Sequence, residues 1–278
     1  MRLSDVGELG LLAELERRGL ARAIENDAAQ VDGHVLTQDA LVEDVHFRLD
    51  WITWRDLGFR AAAVNLSDLA ASGAQPDGFI VTLAAPAATR LDDVLELYQG
   101  IAETGVPVLG GDTTDSDKLV LSVTAVGRSQ RVPGRAGARP NDAVVVTGAL
   151  GAAGAAFKQH RLVRPPLRLA EGRALAQHAH ALIDISDGLA VDAGHIARRS
   201  RCRIEIELDR VPLAAGAAVD DLAFGEDYEL LAATPEPGGF TVVGRCVAGD
   251  GVALTLGGSP YELEGWQHYT SQGASARS

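Results

Sequence analysis

Residues 54–73 read WRDLGFRAAAVNLSDLAASG, and this stretch combines a helical pattern with a charge in an unusual place. Apolar residues recur at helical spacing from Trp54 to Ala71, and Gly73 suits the position that follows a helix C-terminus. Asn65 and Asp68 stand three residues apart, so they share one face of this otherwise apolar helix. Because burying an isolated carboxylate is costly, we expect Asp68 to be paired or bound to a metal ion.

The segments around this helix alternate between strand-like and helical patterns, which predicts an α/β (α+β) fold. Short apolar runs predict strands at residues 35–37, 79–83, 106–109, 119–127, 143–146, 181–185, 203–208, 228–233, 241–247 and 252–256. Helices are predicted at residues 5–20, 54–71, 91–104, 167–178 and 188–200. A stretch rich in Gly, Pro and Arg at 131–142 predicts an N-terminal domain of residues 1–136 and a C-terminal domain of residues 137–278.

Three aspartates directly follow strand-like runs, namely Asp39, Asp112 and Asp184. The carboxyl ends of strands in open α/β sheets border ligand crevices, so we expect these side chains to share a cleft with Asp68. Asp27 and Asp187 could join them. Oxygen-only ligands suit Mg²⁺, which carboxylates share with substrate phosphates. Each aspartate taken alone is also compatible with a turn, a solvated charge or a helix N-cap, and Asp187 directly precedes a predicted helix.

Glycines and lysines bear on how phosphate could be bound. Gly110 and Gly111 would let backbone amides approach an anion closely. The glycines at 148, 151 and 154 fit either phosphate binding at a helix N-terminus or close packing of helix and strand. Lys118 and Lys158 are the only lysines, neither lies in a Walker A loop, and the protein-kinase motifs are missing. If the protein handles ATP, then metal ions, arginines and backbone amides must carry the phosphate charge.

The composition narrows the class of protein. With 25 Lys and Arg against 38 Asp and Glu, the net charge is −13, which disfavours nucleic acid as a partner. No apolar run approaches the ~20 residues that cross a bilayer, so no membrane partner and a cytoplasmic location are expected. Cys202 and Cys246 are too few for a disulfide framework or a multi-cysteine zinc site. Among seven histidines, only His46 stands beside the acidic segments.

Seven segments together resemble the thiamine-monophosphate kinase family, whose superfamily includes aminoimidazole ribonucleotide synthetase, selenophosphate synthetase and a hydrogenase-maturation protein. They run in family order over nearly the whole chain and comprise residues 39–47 (DALVEDVHF), 63–74 (AVNLSDLAASGA), 109–114 (LGGDTT), 135–138 (RAGA), 183–189 (IDISDGL), 225–231 (GEDYELL) and 265–269 (GWQHY). Several long motifs in register are far more specific than a single glycine pattern.

The resemblance implies transfer of the γ-phosphoryl group of ATP to thiamine monophosphate, directly and in line, with no catalytic nucleophile on the protein. It implies several Mg²⁺ ions, with ligands at Asp27, Thr37, Gln38, Asp39, Asp68, Asp112, Asp184 and Asp187. It implies ATP contacts from Tyr98, Gly111, Asp112, Arg135 and Ser186. It places thiamine monophosphate near His46, Glu226 and Trp266, although Trp266 also fits a core aromatic residue.

The family fold is the two-domain aminoimidazole-ribonucleotide-synthetase-like fold. The resemblance therefore implies a homodimer in which the N-terminal sheet pairs with its twin, while a C-terminal α/β domain completes the active site. Physical chemistry agrees with this mechanism, because the accepting phosphate oxygen is already anionic at neutral pH and needs no general base. Arg135 can bind phosphate bidentately, and Trp266 can stack on the cationic thiazolium or on the pyrimidine.

The chain departs from the family pattern at three places. Residues 25–27 read Glu-Asn-Asp where the family usually has Gly-Asp-Asp, Gln38 replaces a threonine, and Phe224 replaces a glycine. These departures leave the number of metal ions open and motivate an alternative hypothesis, a non-catalytic sensor of nucleotide or thiamine phosphate. Another phosphoryl-transferring member of the superfamily is a further alternative. Selenophosphate synthetase would need a cysteine near the N-terminus, and residues 225–230 and His46 disfavour aminoimidazole ribonucleotide synthetase.

Overall fold

The computed structural model describes residues 2–21 and 26–265, except for the side chains of residues 8 and 9. The first part of the chain forms α1 (Leu3–Arg17), β1 (Ala29–Val31), β2 (His34–Val42), α2 (Trp54–Ala71), β3 (Gln75–Ala85), α3 (Leu91–Ala102), β4 (Val108–Asp115) and β5 (Val120–Arg128). Strands β1 to β5 form a five-stranded sheet in the order β1-β2-β5-β3-β4, in which only the pair β3–β4 is parallel.

A second sheet lies C-terminal to residue 142. This part forms β6 (Ala143–Val146), α4 (Ala152–Phe157), α5 (Leu169–His178), β7 (Ala181–Asp184), α6 (Leu189–Ser200), β8 (Arg203–Glu207), β9 (Leu230–Thr234), β10 (Thr241–Val247), β11 (Gly251–Leu256) and β12 (Ser259–Tyr261), with short 3₁₀ helices at Leu208–Arg210 and Val219–Ala223. The seven strands run in the order β12-β11-β8-β10-β6-β9-β7, and only β8 and β11 pair in parallel. Two sheets in a mixed α/β arrangement confirm the predicted fold class.

Helices α2 and α3 cover one face of the first sheet. Leu57 of α2 and Leu97 of α3 are fully buried in one core with Phe79 of β3 and Leu121 of β5. The two helices cross at glycine, because a Cβ on Gly58 would lie 1.8 Å from the carbonyl oxygen of Leu97. Any side chain larger than hydrogen at this crossing would force the helices apart.

The second sheet is covered on both faces. Helix α6 packs Leu189 and Ile196 against one face, which includes Ile204 of β8. The other face packs against α5 and against the C-terminal end of α2, where Ala70 joins a buried cluster with Leu182 of β7. Helix α2 therefore contributes to the hydrophobic cores of both sheets.

The connection between the two sheets is fixed by hydrogen bonds to helix ends. The Arg131 guanidinium donates to the carbonyl oxygens of Ala176 and Ala179, the latter at 2.6 Å, and so binds the negative end of α5. The Ser129 hydroxyl donates 3.1 Å to the carbonyl oxygen of Gly73. The glycine- and proline-rich segment is thus attached to both domains.

Predicted and observed elements differ mainly at strand ends. Helix α2 and strands β6 and β10 have the predicted bounds, and β7 ends at Asp184, one residue before the predicted end at residue 185. The placement of Asp39 and Asp112 at strand ends is wrong, because β2 continues to Val42 and β4 continues to Asp115. The short strands β1 and β12 were not predicted.

Among the described residues, no helix is long and apolar enough to cross a membrane. The longest described helix is α2, with eighteen residues, and it packs against protein on several sides. Its apolar character is therefore explained by the two cores that it joins.

Candidate active site

Three carboxylates from three parts of the chain meet between the two domains. Oxygen atoms of Asp27, Asp68 and Asp184 all lie within 4.8 Å of one another. Asp27 precedes β1, Asp68 lies in the last turn of α2, and Asp184 ends β7. The fold thus brings together residues that are separated by more than 150 positions in the sequence, and we call these three residues the acidic cluster.

Strand β2 adds two side chains to this cluster. Thr37 and Asp39 both face α2, since they alternate with the exposed Gln38 along the strand. The Thr37 hydroxyl donates a hydrogen bond to Asp68, and the Asp39 carboxyl group lies close enough to Asp68 for the two to interact electrostatically. The backbone amide of Asp39 donates 3.1 Å to the Asn65 side chain, so Asn65 orients β2 against α2.

Polar side chains beside the cluster fix its carboxylates. The Ser67 hydroxyl donates 2.7 Å to Asp184, which joins α2 to the second domain. The Arg135 guanidinium donates two hydrogen bonds, of 2.5 and 3.0 Å, to one oxygen of Asp27. The amide of Arg135 donates 3.1 Å to the Asn26 side chain, so Asn26 holds the turn that carries this arginine.

Crowding and burial change the titration of these groups. Burial, with the Asp27 carboxylate nearby, raises the pKa of Asp184 to about 8. Burial and the neighbouring carboxylates likewise raise the pKa of Asp68 well above its usual value. The single positive charge of Arg135 cannot balance the four carboxyl groups of Asp27, Asp39, Asp68 and Asp184 once they are ionised. All of the ligand atoms that these groups offer are oxygens. The set therefore fits a hard divalent cation such as Mg²⁺, which would hold every carboxylate ionised.

Gln38 and Asp112 lie on the opposite face of the first sheet from the cluster. The Gln38 amide donates 2.9 Å to the Ser122 hydroxyl. Asp112 pairs with Thr82 in the β3–β4 register, and the neighbouring Val81 faces the buried side. Within the described chain, the structure does not bring these two predicted metal ligands to the acidic cluster.

The glycine next to Asp112 has a packing role. A Cβ on Gly111 would lie 1.8 Å from the carbonyl oxygen of Val81, so glycine is required for β4 to pair with β3. Tyr98, also predicted to contact ATP, lies half-buried on α3 against the core of the first sheet. Burial raises the pKa of its hydroxyl, which keeps the phenol protonated at neutral pH.

Ser186 and Asp187 lie in the turn between β7 and α6. Their backbone amides donate 3.1 and 3.0 Å to the carboxylate of Asp192, and Gly188 occupies the N-cap position. Gly188 and not Asp187 is therefore the N-cap residue, while Asp192 holds the turn that precedes the helix. Asp187, Asp192 and His195 also present possible ligand atoms within 4.8 Å of one another.

His46 and Glu226, predicted to contact the substrate, line one pocket. The pocket lies between the loop after β2 and the loop before β9, and Trp51, Phe157 and Phe224 form much of its wall. The ring of Phe157 lies 4.7 Å from that of Phe224 and 5.4 Å from that of Trp51. Aromatic faces beside a carboxylate favour a cationic, ring-containing ligand.

The glycine-rich turn at 148–154 is explained by packing. The amides of Gly151 and Ala153 donate 2.7 and 3.3 Å to the Asp227 carboxylate, which occupies the N-terminus of α4. A Cβ on Gly154 would lie 2.9 Å from the carbonyl oxygen of Asp221. Of the two roles left open for these glycines, close packing is the one that the contacts support.

Arg60, which was not among the predicted site residues, is buried beside the pocket and pairs with Glu226 at 2.8 Å. A charge inside an apolar helix singled out Asp68, and the same signal in the same helix would have identified Arg60. Trp266 and Glu25 lie outside the described residues.

Comparison with known proteins gives matches over both domains. Residues 25–129 match the family described as AIR synthase related protein, N-terminal domain, and residues 139–245 match AIR synthase related protein, C-terminal domain. The thiamine-monophosphate kinase of Aquifex aeolicus (strain VF5) is 32% identical, over 97% of this chain and 100% of the relative. That of Mycobacterium tuberculosis (strain ATCC 25618 / H37Rv) is 35% identical, over 88% of this chain and 84% of the relative.

A solved structure described as AaThiL complexed with AMPPCP and TMP is similar to the whole chain. It superposes with a TM-score of 0.86 at 32% sequence identity, covering 96% of this chain and 99% of that chain.

Proposed function

The chain belongs to the thiamine-monophosphate kinase family, and we propose that it transfers the γ-phosphoryl group of ATP to thiamine monophosphate. The observation that carries this proposal is the position of two sites along one helix. Helix α2 presents Asp68 to the acidic cluster and Arg60 to the pocket of His46 and Glu226. A phosphate-handling site and an acceptor site would thus lie on one rigid element.

The acidic cluster supplies the ligands for Mg²⁺ in this proposal. Asp27, Asp39, Asp68 and Asp184, with the Thr37 hydroxyl, would hold the ions, while Gln38, Asp112 and Asp187 stay predictions. When bound, Mg²⁺ neutralises charge on the phosphates and stabilises charge that develops during phosphoryl transfer.

The chain itself contributes positioning and charge. Arg135 bonds Asp27 through two nitrogens and is close enough to the cluster to bind a phosphate there. The turn after β7 presents Ser186 beside Asp184, where we place the nucleotide. His46, Glu226 and the aromatic wall would hold the thiamine part, and Trp266 remains a predicted contact. The acceptor phosphate attacks as an anion, so no residue needs to remove a proton.

We further propose a homodimer in which the first sheets of two copies face each other. The alternating burial of β5 supports this, since every second residue faces α2 and the others stay half-exposed. Ile80 of β3 is exposed on that same open face, where Asp112 also lies. Sedimentation equilibrium tests the proposal, and a monomer at micromolar concentration would contradict it.

A two-substrate assay tests the proposed activity. The purified protein with ATP and Mg²⁺ is offered thiamine monophosphate or formylglycinamidine ribonucleotide, and ADP and the products are measured. We expect thiamine diphosphate only. Turnover of the ribonucleotide alone would assign another superfamily activity. Tight calorimetric binding of thiamine monophosphate without any ATP turnover would identify a sensor.

A further inference from the structure

The Arg60–Glu226 ion pair is buried beside the pocket that Glu226 lines. The Arg60 side chain is 1% exposed, that of Glu226 is 9% exposed, and their charged atoms lie 2.8 Å apart. A second guanidinium nitrogen donates 3.1 Å to the carbonyl oxygen of Val163, and the third, Nε, is buried with no partner among the described residues. Such an arginine is costly to bury, so its retention calls for a functional explanation.

The backbone around Glu226 is held in an uncommon conformation. Glu226 and Tyr228 have φ angles of +59° and +52°, a left-handed region that residues other than glycine rarely adopt. Two bonds fix this loop to the β7–α6 turn, because the amide of Glu226 donates 2.9 Å to the carbonyl oxygen of Ser186 and that of Tyr228 donates 2.9 Å to Ile185. Strain of this kind persists only where surrounding contacts determine the geometry, and it is concentrated at functional sites.

Arg60 connects this strained loop to the acidic cluster. It lies eight residues before Asp68 on α2, which is about 12 Å along the helix axis. Because α2 is buried between both domains, the distance from Glu226 to the cluster is set by the position of Arg60 on this helix. Loss of the Arg60 contact would therefore release Glu226 from its fixed position beside the acceptor.

We propose that Arg60 is a positioning residue, which holds the Glu226 carboxylate in place and aimed at the cationic heteroaromatic part of the acceptor. This inference rests on the proposed function. It assigns Arg60 no contact with the reacting atoms or with ATP, so its effect should fall on acceptor binding alone. The centroid of the Tyr228 ring lies 5.7 Å from the Arg60 guanidinium, so this ring also contacts the ion pair.

The test compares the KM for thiamine monophosphate, the KM for ATP and kcat in Arg60→Met and Arg60→Lys. We expect Arg60→Met to raise the acceptor KM by about tenfold to a hundredfold while the ATP KM changes by less than about twofold. Arg60→Lys keeps a charge beside Glu226 and should restore most of the acceptor affinity. An Arg60→Met protein with an unchanged acceptor KM, or with both KM values raised in parallel, would overturn the inference.

Arg55→Met is the matched control, because Arg55 lies on the same helix and pairs with Glu103 at 2.5 Å on the exposed side. Its kinetics should equal those of the wild type.

The double variant Arg60→Met/Glu226→Gln keeps the test available if Arg60→Met alone does not fold, since it leaves no buried charge unpaired. If Arg60 acts through Glu226, the acceptor KM of the double variant should match that of the single variant Glu226→Gln within about threefold. A larger difference would contradict the inference. Failure of the wild type to phosphorylate thiamine monophosphate would refute the proposed function itself, which is a different result.

Discussion

The hydroxyl of Ser67 donates a 2.7 Å hydrogen bond to the carboxylate of Asp184, and this buried contact joins α2 of the first domain to β7 of the second. Since Asp68 follows Ser67 directly, the same helical turn supplies one carboxylate and fixes another. The separation of these two acidic groups is therefore set by the interface between the domains, which a hinge motion could not change without breaking this bond.

Asp184→Asn should abolish activity without unfolding the protein. The substitution removes one of the clustered carboxylates, so we expect kcat for ATP turnover to fall by at least about a hundredfold, because metal charge stabilisation is worth several kcal/mol. In the presence of chelator at neutral pH, Tm should rise, because folding no longer requires a buried carboxyl group to take up a proton. Asp92→Asn, an exposed aspartate on α3, is the control and should change neither value. Full activity of Asp184→Asn would contradict the proposed site.

The stability of the metal-free protein should fall as pH rises. The pKa of Asp184 is about 8 in the folded protein against 3.8 ordinarily, so the folded protein keeps a proton that the unfolded chain releases. Stability is therefore greatest below pH 4 for this group and declines as pH rises from about 4 to about 8. Thermal denaturation with chelator at pH 5 and pH 8 measures this, and Asp184→Asn should flatten the slope.

Magnesium should reverse that dependence. A cation favours the ionised carboxylates, so the increase in Tm on adding Mg²⁺ should be larger at pH 8 than at pH 5. Each kcal/mol gained should raise Tm by about 2–4 °C in a protein of this size. An equal increase at both pH values would mean that the cation binds elsewhere.

Asp112→Asn should lower ATP turnover while leaving the stability of the protein unchanged. Asp112 is exposed on β4, so Tm with chelator should stay within about 1 °C of the wild type. If Asp112 acts as a metal ligand across the proposed dimer, ATP turnover should nevertheless be lost. Unchanged turnover would remove Asp112 from the list of ligands, and a large drop in Tm would show that its role is structural.

Phe224→Ala should weaken acceptor binding. The Phe224 ring packs 4.7 Å from that of Phe157 in the wall of the pocket, and aromatic contacts of this kind are worth about 0.5–1.5 kcal/mol. We expect the KM for thiamine monophosphate to rise by about twofold to tenfold, with the ATP KM unchanged. Phe240→Ala, at a half-buried position that packs against the cluster containing Val145 of β6, controls for lost stability. An acceptor KM equal to that of the wild type would exclude a contact with Phe224.

Much of the fold could be predicted because apolar spacing is a strong signal where an element is buried. Helix α2 has its predicted bounds since its apolar residues recur at helical spacing until Gly73, whose φ is +61°. The ends of strands were harder to predict than the ends of this helix. Gln38 and Asp39 interrupt the apolar run after Thr37, yet β2 continues, because Gln38 faces the open side while Asp39 faces α2. Strand β4 carries Gly110 and Gly111 at an exposed edge, so it has no apolar alternation to detect.

The carboxylates of the candidate site could be predicted from the sequence. The residues that hold them in place or line the pocket were harder to predict. Aspartates flanked by apolar residues are rare enough in sequence to indicate a site, which is why Asp68 and Asp184 were identified. Asp192 resembles an ordinary residue in the first turn of a helix, and only the folded chain shows three amides directed at it. The aromatic wall combines Trp51 with Phe157, residues that belong to different domains, so sequence spacing could not reveal it.

Helix α2 has thirteen of its eighteen residues buried, some against each sheet, so the boundary along the chain is not a boundary in space. Splitting the gene near residue 137 would leave the second half without the cover that Ala70 and Ala71 provide. It would also expose these two residues of the first half to water. Recombination between relatives would face the same constraint. A C-terminal domain can be exchanged only together with the last turns of this helix.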